Sequence, residues 1–425
     1  MIHRFLLLAG SALTMGPLAL QAGGFSAEYP ETKKKESPGD WCETLQDFGT
    51  LYDVKKKNNP YVQKVEIFGR YQQQWAYSDG SDRGRDFSGY GQELRRFRIG
   101  ASVEFLDRWK IHGRINLEEG GFNDTKIRHD DFDELIIRYE SKDLFFFNEP
   151  SIAYGLTKID FGGEWYATSK EIKTVERSNL SNLYSPNRST GFLFAAEVED
   201  FDIVLGVFSS REHNYALADW DGGRAYFTSI RTKIGKGKAR ADFLYVDATE
   251  VEDEIFGFEW ATSLSYDKDI GDWNLFMNGT YGRFDRGDIY GVVVMPSMFI
   301  IEDRLEAVFR YQWASSTELQ LRPGRGGHTS VRAFAEADGV KISKGDENHT
   351  FYAGLNYYFC EDNLKLMAGV EHETLTGGNA DTEATTIWGG VTLLFLAGLG
   401  KLFVRWVEAM IRCDKTCSRR LSFWR

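Results

Sequence analysis

Between residues 21 and 395 no apolar run approaches the roughly 20 residues a membrane helix requires. Any crossing of a bilayer in this span must therefore be made by strands. Proline is scarce, 8 residues in 425 against 43 glycines and 15% aromatics, a balance unusual for helical proteins and common in tight-turned β structure. The cysteines, Cys42, Cys360, Cys413 and Cys417, are too few for a disulfide scaffold. Positive charge is in deficit: 51 Lys+Arg against 63 Asp+Glu give a net charge of −12, which argues against a nucleic-acid partner. The seven histidines are scattered and no Ser–His spacing pairs a nucleophile with a base, so no catalytic residue and no enzymatic activity is expected. The acidic group Asp130, Asp131, Asp133 and Glu134 lacks the ligand spacing of a metal site and reads as a solvated loop. No metal and no cofactor is expected.

The ends are distinctive. His3 and Arg4 precede an apolar run from Phe5 to Leu20, and the small residues Ala22, Gly23 and Gly24 follow. That order of charge, apolar core and small residues is that of a secretory signal peptide, assigned to 1–22, with cleavage after Ala22 or Gly24. Residues 23–60 are polar, with lysine runs at 33–35 and 55–57, and read as a periplasmic lead-in.

From 61 to 395 the period is two. Phe97, Ile99, Ala101, Val103 and Phe105 share one face of a strand, while Arg96, Arg98, Gly100, Ser102 and Glu104 share the other. The same alternation recurs at Trp109–Leu117, Trp273–Tyr281, Leu305–Trp313 and Phe351–Phe359. It yields sixteen segments, near 62–78, 93–106, 108–119, 132–140, 150–158, 190–199, 202–210, 224–234, 237–248, 255–267, 271–283, 289–300, 303–316, 348–359, 363–375 and 384–395. Tight links alternate with longer connections, notably 79–92, 120–131, 159–189 and 317–347. Short turns on one rim and long loops on the other are the pattern of bacterial outer-membrane barrels. Closure satisfies every backbone polar group without water. The expected fold is all-β, a closed antiparallel transmembrane β-barrel of about 16 strands. Tyr77, Trp109, Trp260, Trp273 and Trp313 lie at strand ends, where aromatic girdles or ordinary strand packing would place them.

Several stretches resemble the phosphate-selective porin O and P family. They are Glu93–Phe105, ELRRFRIGASVEF; Gly155–Lys158 with Ser169–Glu171, Val175–Ser178, Asn182, Pro186–Arg188 and Gly191; Asp303–Gln312, DRLEAVFRYQ; and Tyr352–Phe359, YAGLNYYF. The resemblance spans about 60–395. It implies a 16-stranded barrel, usually a homotrimer, in the bacterial outer membrane, whose third external loop folds inward and narrows the pore. Loop 159–189 holds that ordinal place. Arg177 and Arg188 match the family's loop motif and lead the constriction candidates, with Lys158, Lys170 and Lys173 behind them; packing of this loop against the wall through Glu164, Glu171 or Glu176 is the alternative.

On the inward faces a basic ladder of Arg70, Arg96, Arg98, Lys110, Arg114, Arg138 and Arg310 would favour anions, since guanidinium pairs with oxyanions through paired donors. Glu66, Glu104, Glu118, Glu134 and Glu306 share these faces, so a generic charged lumen is the competing reading. The expected function is passive diffusion of small hydrophilic solutes, anions such as phosphate among them. The alternatives are a general porin of weak or cation-leaning selectivity and a structural or adhesive barrel with a plugged lumen. Partners would be outer-membrane lipid, small anionic solutes, further copies of the chain and the barrel-assembly machinery.

Two features stand apart. The inferred topology puts Cys42 and Cys360 on the periplasmic rim, where a bridge in an oxidising compartment and two separate thiols are both open. Phe395 would end the last strand with an aromatic residue, yet 396–425 follow, with Leu399, Leu402, Phe403, Trp406, Val407, Met410 and Ile411 at helical spacing. That tail reads equally as an interfacial amphipathic helix or as the product of a shifted reading frame.

Overall fold

The computed structural model describes residues 42, 50–53, 61–119, 126–210, 223–247, 257–324 and 330–396. The expected signal peptide, most of the expected lead-in and the tail beyond Leu396 lie outside the described residues. Sixteen long strands form one antiparallel sheet: β1 (Val62–Asp82), β2 (Arg85–Phe105), β3 (Trp109–Asn116), β4 (Phe132–Glu140), β5 (Asn148–Lys158), β6 (Arg188–Val198), β7 (Phe201–Ser209), β8 (Arg224–Ile234), β9 (Gly237–Asp247), β10 (Phe258–Ile270), β11 (Trp273–Phe284), β12 (Gly287–Ile301), β13 (Leu305–Ser316), β14 (Glu347–Cys360), β15 (Leu364–Gly377) and β16 (Ala380–Leu396). Each pairs with its sequence neighbour, and β16 returns to β1 with Ile387 opposite Tyr77, closing the barrel.

The two faces explain the closure. Outward residues such as Ile137, Phe192, Leu264, Phe309, Phe351 and Ile387 are exposed apolar side chains, with Leu264 at 65%. Inward positions carry Arg96, Arg98, Asp242, Asn278, Gln312 and Thr386, all buried. No helix among the described residues is long and apolar enough to cross a membrane, so the strands make the crossing. Rings adjoin along the external rim of the outer face: Tyr226–Tyr245 at 6.2 Å, Trp260–Tyr281 at 5.4 Å, Tyr281–Tyr290 at 6.1 Å and Tyr290–Trp313 at 5.7 Å. Trp109–Tyr139 at 5.0 Å and Tyr357–Phe359 at 4.7 Å do the same on the opposite rim. These are the two aromatic girdles of a membrane barrel.

The connection expected at 79–92 is instead a tall hairpin. β1 and β2 stay paired up to Asp82 and Arg85, and a two-residue turn, Arg83 (φ 53°) and Gly84 (φ 71°), closes it. Both turn residues adopt the left-handed conformation that suits the twist of a hairpin. Its Gly-, Ser- and Asp-rich composition reads as loop, but a helix covers its inner face. Connection 317–346 contains α3 (Ser330–Ala337), whose Val331, Phe334 and Ala335 bury against Ala76, Phe87, Ala384 and Trp388. Gly89 admits the Phe334 ring, because a Cβ there would meet it at 2.4 Å. This inward-folded helix was hidden within a presumed long loop; its signal was the i, i+3, i+4 spacing of those three apolar residues.

At the opposite rim Cys42 and Cys360 form a disulfide, with Cα atoms 5.5 Å apart. A short strand, Thr50–Asp53, pairs with Lys64–Glu66 of β1. It lies along β1 beyond Phe68, which stands opposite Leu396 of β16.

Candidate functional site: the inward loop and its arginine arc

Lys158 and Arg188 face each other at the ends of β5 and β6, and the segment between them folds into the barrel. Two short helices, α1 (Gly163–Tyr166) and α2 (Asn179–Leu183), give it shape. Ser178 caps α2 by accepting a hydrogen bond from the Ser181 N–H. Ile159, Phe161, Leu180 and Tyr184 pack with Phe208, Leu244, Phe258 and Ile289 of the wall, an apolar cluster within the lumen.

Polar bonds fix the rest of the loop. Asp242 accepts from the Gly162 N–H at 3.0 Å, Asn278 from the Gly163 N–H at 2.7 Å and Gln312 from the Leu180 N–H at 2.9 Å. Gly163 is required here, since a Cβ would stand 2.5 Å from Ser265. Lys365, fully buried, donates to the Ile172 carbonyl at 2.9 Å, and Asn356 to the Lys173 carbonyl at 2.8 Å. Arg231 and Arg240 lie over the Tyr166 ring at 5.4 and 4.0 Å. These anchors come from β8 to β15, and sequence reading passed over them because each is an ordinary polar residue on an inward face.

The constriction candidates have unequal positions. Arg177 turns into the loop: it donates to the carbonyls of Glu164 (3.2 Å) and Ala167 (2.6 Å) and stacks on Trp165 at 4.9 Å. Lys158 donates to the Trp165 carbonyl at 2.5 Å and pairs with Asp160 at 2.9 Å. Lys173 reaches the wall, with Ser297 at 2.7 Å and Glu306 at 2.8 Å. Lys170 is the most open, with Glu171 at 3.5 Å. Arg188 pairs with Asp133 at 2.6 Å.

Asp133 is the hub of an arc. Arg98 (3.1 Å), Arg114 and Arg188 all converge on its carboxylate, and Arg114 also reaches Glu134 at 3.0 Å. Guanidinium groups thus pair with Asp133 and Glu134, which lie on β4 and not in the solvated loop expected, with Asp133 fully buried, and Asp131 accepts from Asn116. Among the described residues no group of acidic, His and Cys side chains is arranged to hold a metal. Arg70 stands beside the arc and donates through Nη1 to Ser169 Oγ, while its buried Nε has no partner among the described residues. Arg96 donates to Gln72 at 2.9 Å, Lys110 pairs with Glu104 at 3.3 Å near the periplasmic rim, and Arg138 lies 4.0 Å from Glu140.

Arg310 belongs to a different place from the rest of the ladder. It pairs with Glu164 (3.2 Å) and Glu371 (2.6 Å) and donates to the Glu176 carbonyl at 2.8 Å, so it is a buried staple for the loop. Arg95 was missed altogether. A bulge lies where Gln72 and Gln73 pair with Arg96 and Leu94, and it sends Arg95 inward alongside Arg96, to Glu176 at 2.5 Å. Its signal was the break in alternation at Arg95-Arg96. Burial alone would raise the Glu176 carboxyl, but Arg95 and Arg96 hold it down to about 2. A depressed carboxylate contributes its stability fully above the ordinary carboxylate range and loses it as pH falls through the folded value. We therefore expect the Glu176 pair to persist at pH 4, so that any change of open-channel current between pH 7 and pH 4 is the same in wild type and Glu176→Gln; a rise by pH 4 that Glu176→Gln abolishes would show that the carboxylate is not held down.

A closed sixteen-stranded barrel with an apolar exterior, two girdles and a charged loop folded into its bore defines an outer-membrane channel for small solutes. The family profile of phosphate-selective porin O and P matches residues 65–297, and the chain belongs to that family. No curated protein sequence matches the chain. Solved structures sharing the fold include the outer membrane channel DcaP of Acinetobacter baumannii, with TM-score 0.52, 14% identity and coverage of 81% of this chain and 99% of that one. The anion-selective porin from Comamonas acidovorans gives 0.52, 12%, 78% and 99%, and OprB of Pseudomonas putida 0.53, 11%, 84% and 97%. At these identities the likeness is one of fold.

Proposed function

We propose that the chain is a passive, anion-preferring channel of the outer membrane, exported by its signal peptide and assembled as a homotrimer. The observation that carries the anion preference is the arc on β1 to β4 and β6. There Arg70, Arg98, Arg114 and Arg188 gather around Asp133, Glu134 and Glu118, leaving cationic charge in excess. The acidic residues Glu306 and Glu371, by contrast, serve the loop staples Lys173 and Arg310. A phosphate-sized oxyanion crossing the arc meets forked guanidinium donors, of which Arg70 is only partly buried. Phosphate itself is the natural candidate from the family's name, and the anion-selective Comamonas porin shares the fold.

Arg70→Glu is expected to move the reversal potential in a salt gradient towards cations, lowering the anion-to-cation permeability ratio by on the order of tenfold, about 1.4 kcal/mol. Arg70→Gln should fall between, and an unchanged potential in both would remove the arc from the solute path. A second reading is a barrel sealed by its own loops, favoured by the bonds from loop 159–187 to so many wall strands and by α3 within the mouth. Absence of single-channel steps in planar bilayers would select it.

A further inference from the structure

The β4–β5 connection, 141–147, ends in three consecutive phenylalanines, Phe145, Phe146 and Phe147. The backbones of Leu144 and Phe147 exchange hydrogen bonds at 2.9 and 3.0 Å, so Phe145 and Phe146 form a two-residue turn beyond the end of the sheet. Phe145 has φ 57°, in the left-handed region that a bulky side chain enters only at a cost and that Gly or Asn enters readily. Yet Phe145 is 92% exposed and Phe146 68%. A phenylalanine held in a strained backbone position with its ring in water is doubly unfavourable; with its ring in lipid, the second cost becomes a gain.

Phe147 fixes the side on which the tip lies. Its ring meets Phe194 edge-on, with centroids 5.3 Å apart. Phe194 faces outward: on β6 the adjacent Leu193 is buried in the apolar cluster of the lumen, and Phe192, on the same face as Phe194, is exposed. The registers carry that position across the wall, since Phe194 opposes Ile152, Ile152 opposes Tyr139 and Tyr139 opposes Trp109. Phe147 therefore joins the outer-face row that holds the periplasmic girdle pair Trp109–Tyr139. Phe146 lies beside it at 4.2 Å, and Phe145 follows at the tip. The wall is also short here: β3 and β4 have 8 and 9 residues. A tilted strand needs roughly 9–11 to cross the apolar core. Where the apolar band falls short of the bilayer, apolar side chains added at the rim offset the mismatch.

We propose that the Phe145–Phe146 tip inserts among the phospholipid acyl chains of the periplasmic leaflet and extends the apolar band where the barrel wall is shortest. The occupant is lipid and not a second copy of the chain gripped by the tip. Two rings offer on the order of 150–250 Å² each, far below the roughly 1,200 Å² that a stable protein contact buries. The tip lies on the outer face, away from the arginine arc, so the proposal stands whether or not the channel prefers anions.

The test places the photo-crosslinker p-benzoylphenylalanine at position 145 or 146 of the full-length protein, in vesicles of phosphatidylethanolamine and phosphatidylglycerol. Glu361, exposed on the β14–β15 turn of the same rim, is the control position. After irradiation, mass spectrometry of the folded, compact gel band should find phospholipid adducts at 145 and 146 in at least about fivefold excess over 361. F147A removes the ring that holds the tip on the outer face and leaves the tip itself intact, so it should lower the yield at 145 several-fold. Adducts to a second copy of the chain, equal lipid yields at 145 and 361, no lipid adduct at either tip position, or a yield indifferent to F147A would each overturn the proposal.

Discussion

Replacing Arg310 by methionine is expected to release the inward loop, raising single-channel conductance several-fold and lowering stability by about 3–5 kcal/mol. The magnitude follows from what remains behind. Glu164 and Glu371 would be left facing one another without their shared cation, and the Glu176 carbonyl and Thr174 hydroxyl would lose their donor. The remaining stability would be read from the temperature at which the folded barrel loses its compact mobility on a gel. Arg177→Met offers the contrast: it removes bonds to two carbonyls within the loop and the stack on Trp165, while the Arg310 and Lys365 bonds between loop and wall stay in place, so it should loosen α1 with a smaller effect on conductance. Conductance of Arg310→Met indistinguishable from wild type would mean that the apolar cluster alone holds the loop.

The second large effect is expected at the periplasmic rim. Cys360→Ser, or reduction of the wild type, should lower resistance to urea by about 2–4 kcal/mol. The bond closes a separation of 318 residues, so it constrains the unfolded chain strongly if the unfolded reference is an open coil. It also acts locally. The β14–β15 turn touches β16, where the Leu394 N–H donates to the Asn363 carbonyl, and the strand Thr50–Asp53 lies along β1 beyond Phe68, the partner of Leu396. The oxidised lead-in therefore flanks the barrel seam on both sides. Quantitative alkylation of both thiols in unreduced protein from outer membranes would refute the bond.

The strands were legible because lipid outside and water inside impose a strict period of two, which residues such as Phe97–Arg98–Ile99 display without help from tertiary context. The turns were legible from brevity. What could not be read was which charged residue meets which. Arg177 and Arg310 both read as pore cations, yet one staples the loop to itself and the other staples it to the wall. Their partners are backbone carbonyls and residues up to 146 positions away, which carry no local signature. The inward helix α3 escaped because an apolar i, i+3, i+4 set within a polar stretch is short. Cys42 and Cys360 could be placed on one rim by counting strands, while their actual separation depended on how the lead-in runs.

The bulge at Arg95 acts as a phase shifter for everything above it. Below it the even-numbered residues of β2, Arg96, Arg98 and Ser102, look inward; above it the odd ones do, with Glu93 and Phe87 buried and Tyr90 exposed. One residue thus decides which half of the hairpin's side chains meets α3. Deleting Arg95 would keep that facing, with Gln72 opposite Arg96 and Gln73 opposite Leu94, whereas pairing Arg95 into an unbroken ladder would invert the upper hairpin, turning Phe87 towards the exterior and Tyr90 towards the mouth. The helix would lose its seat without a single change to its own sequence.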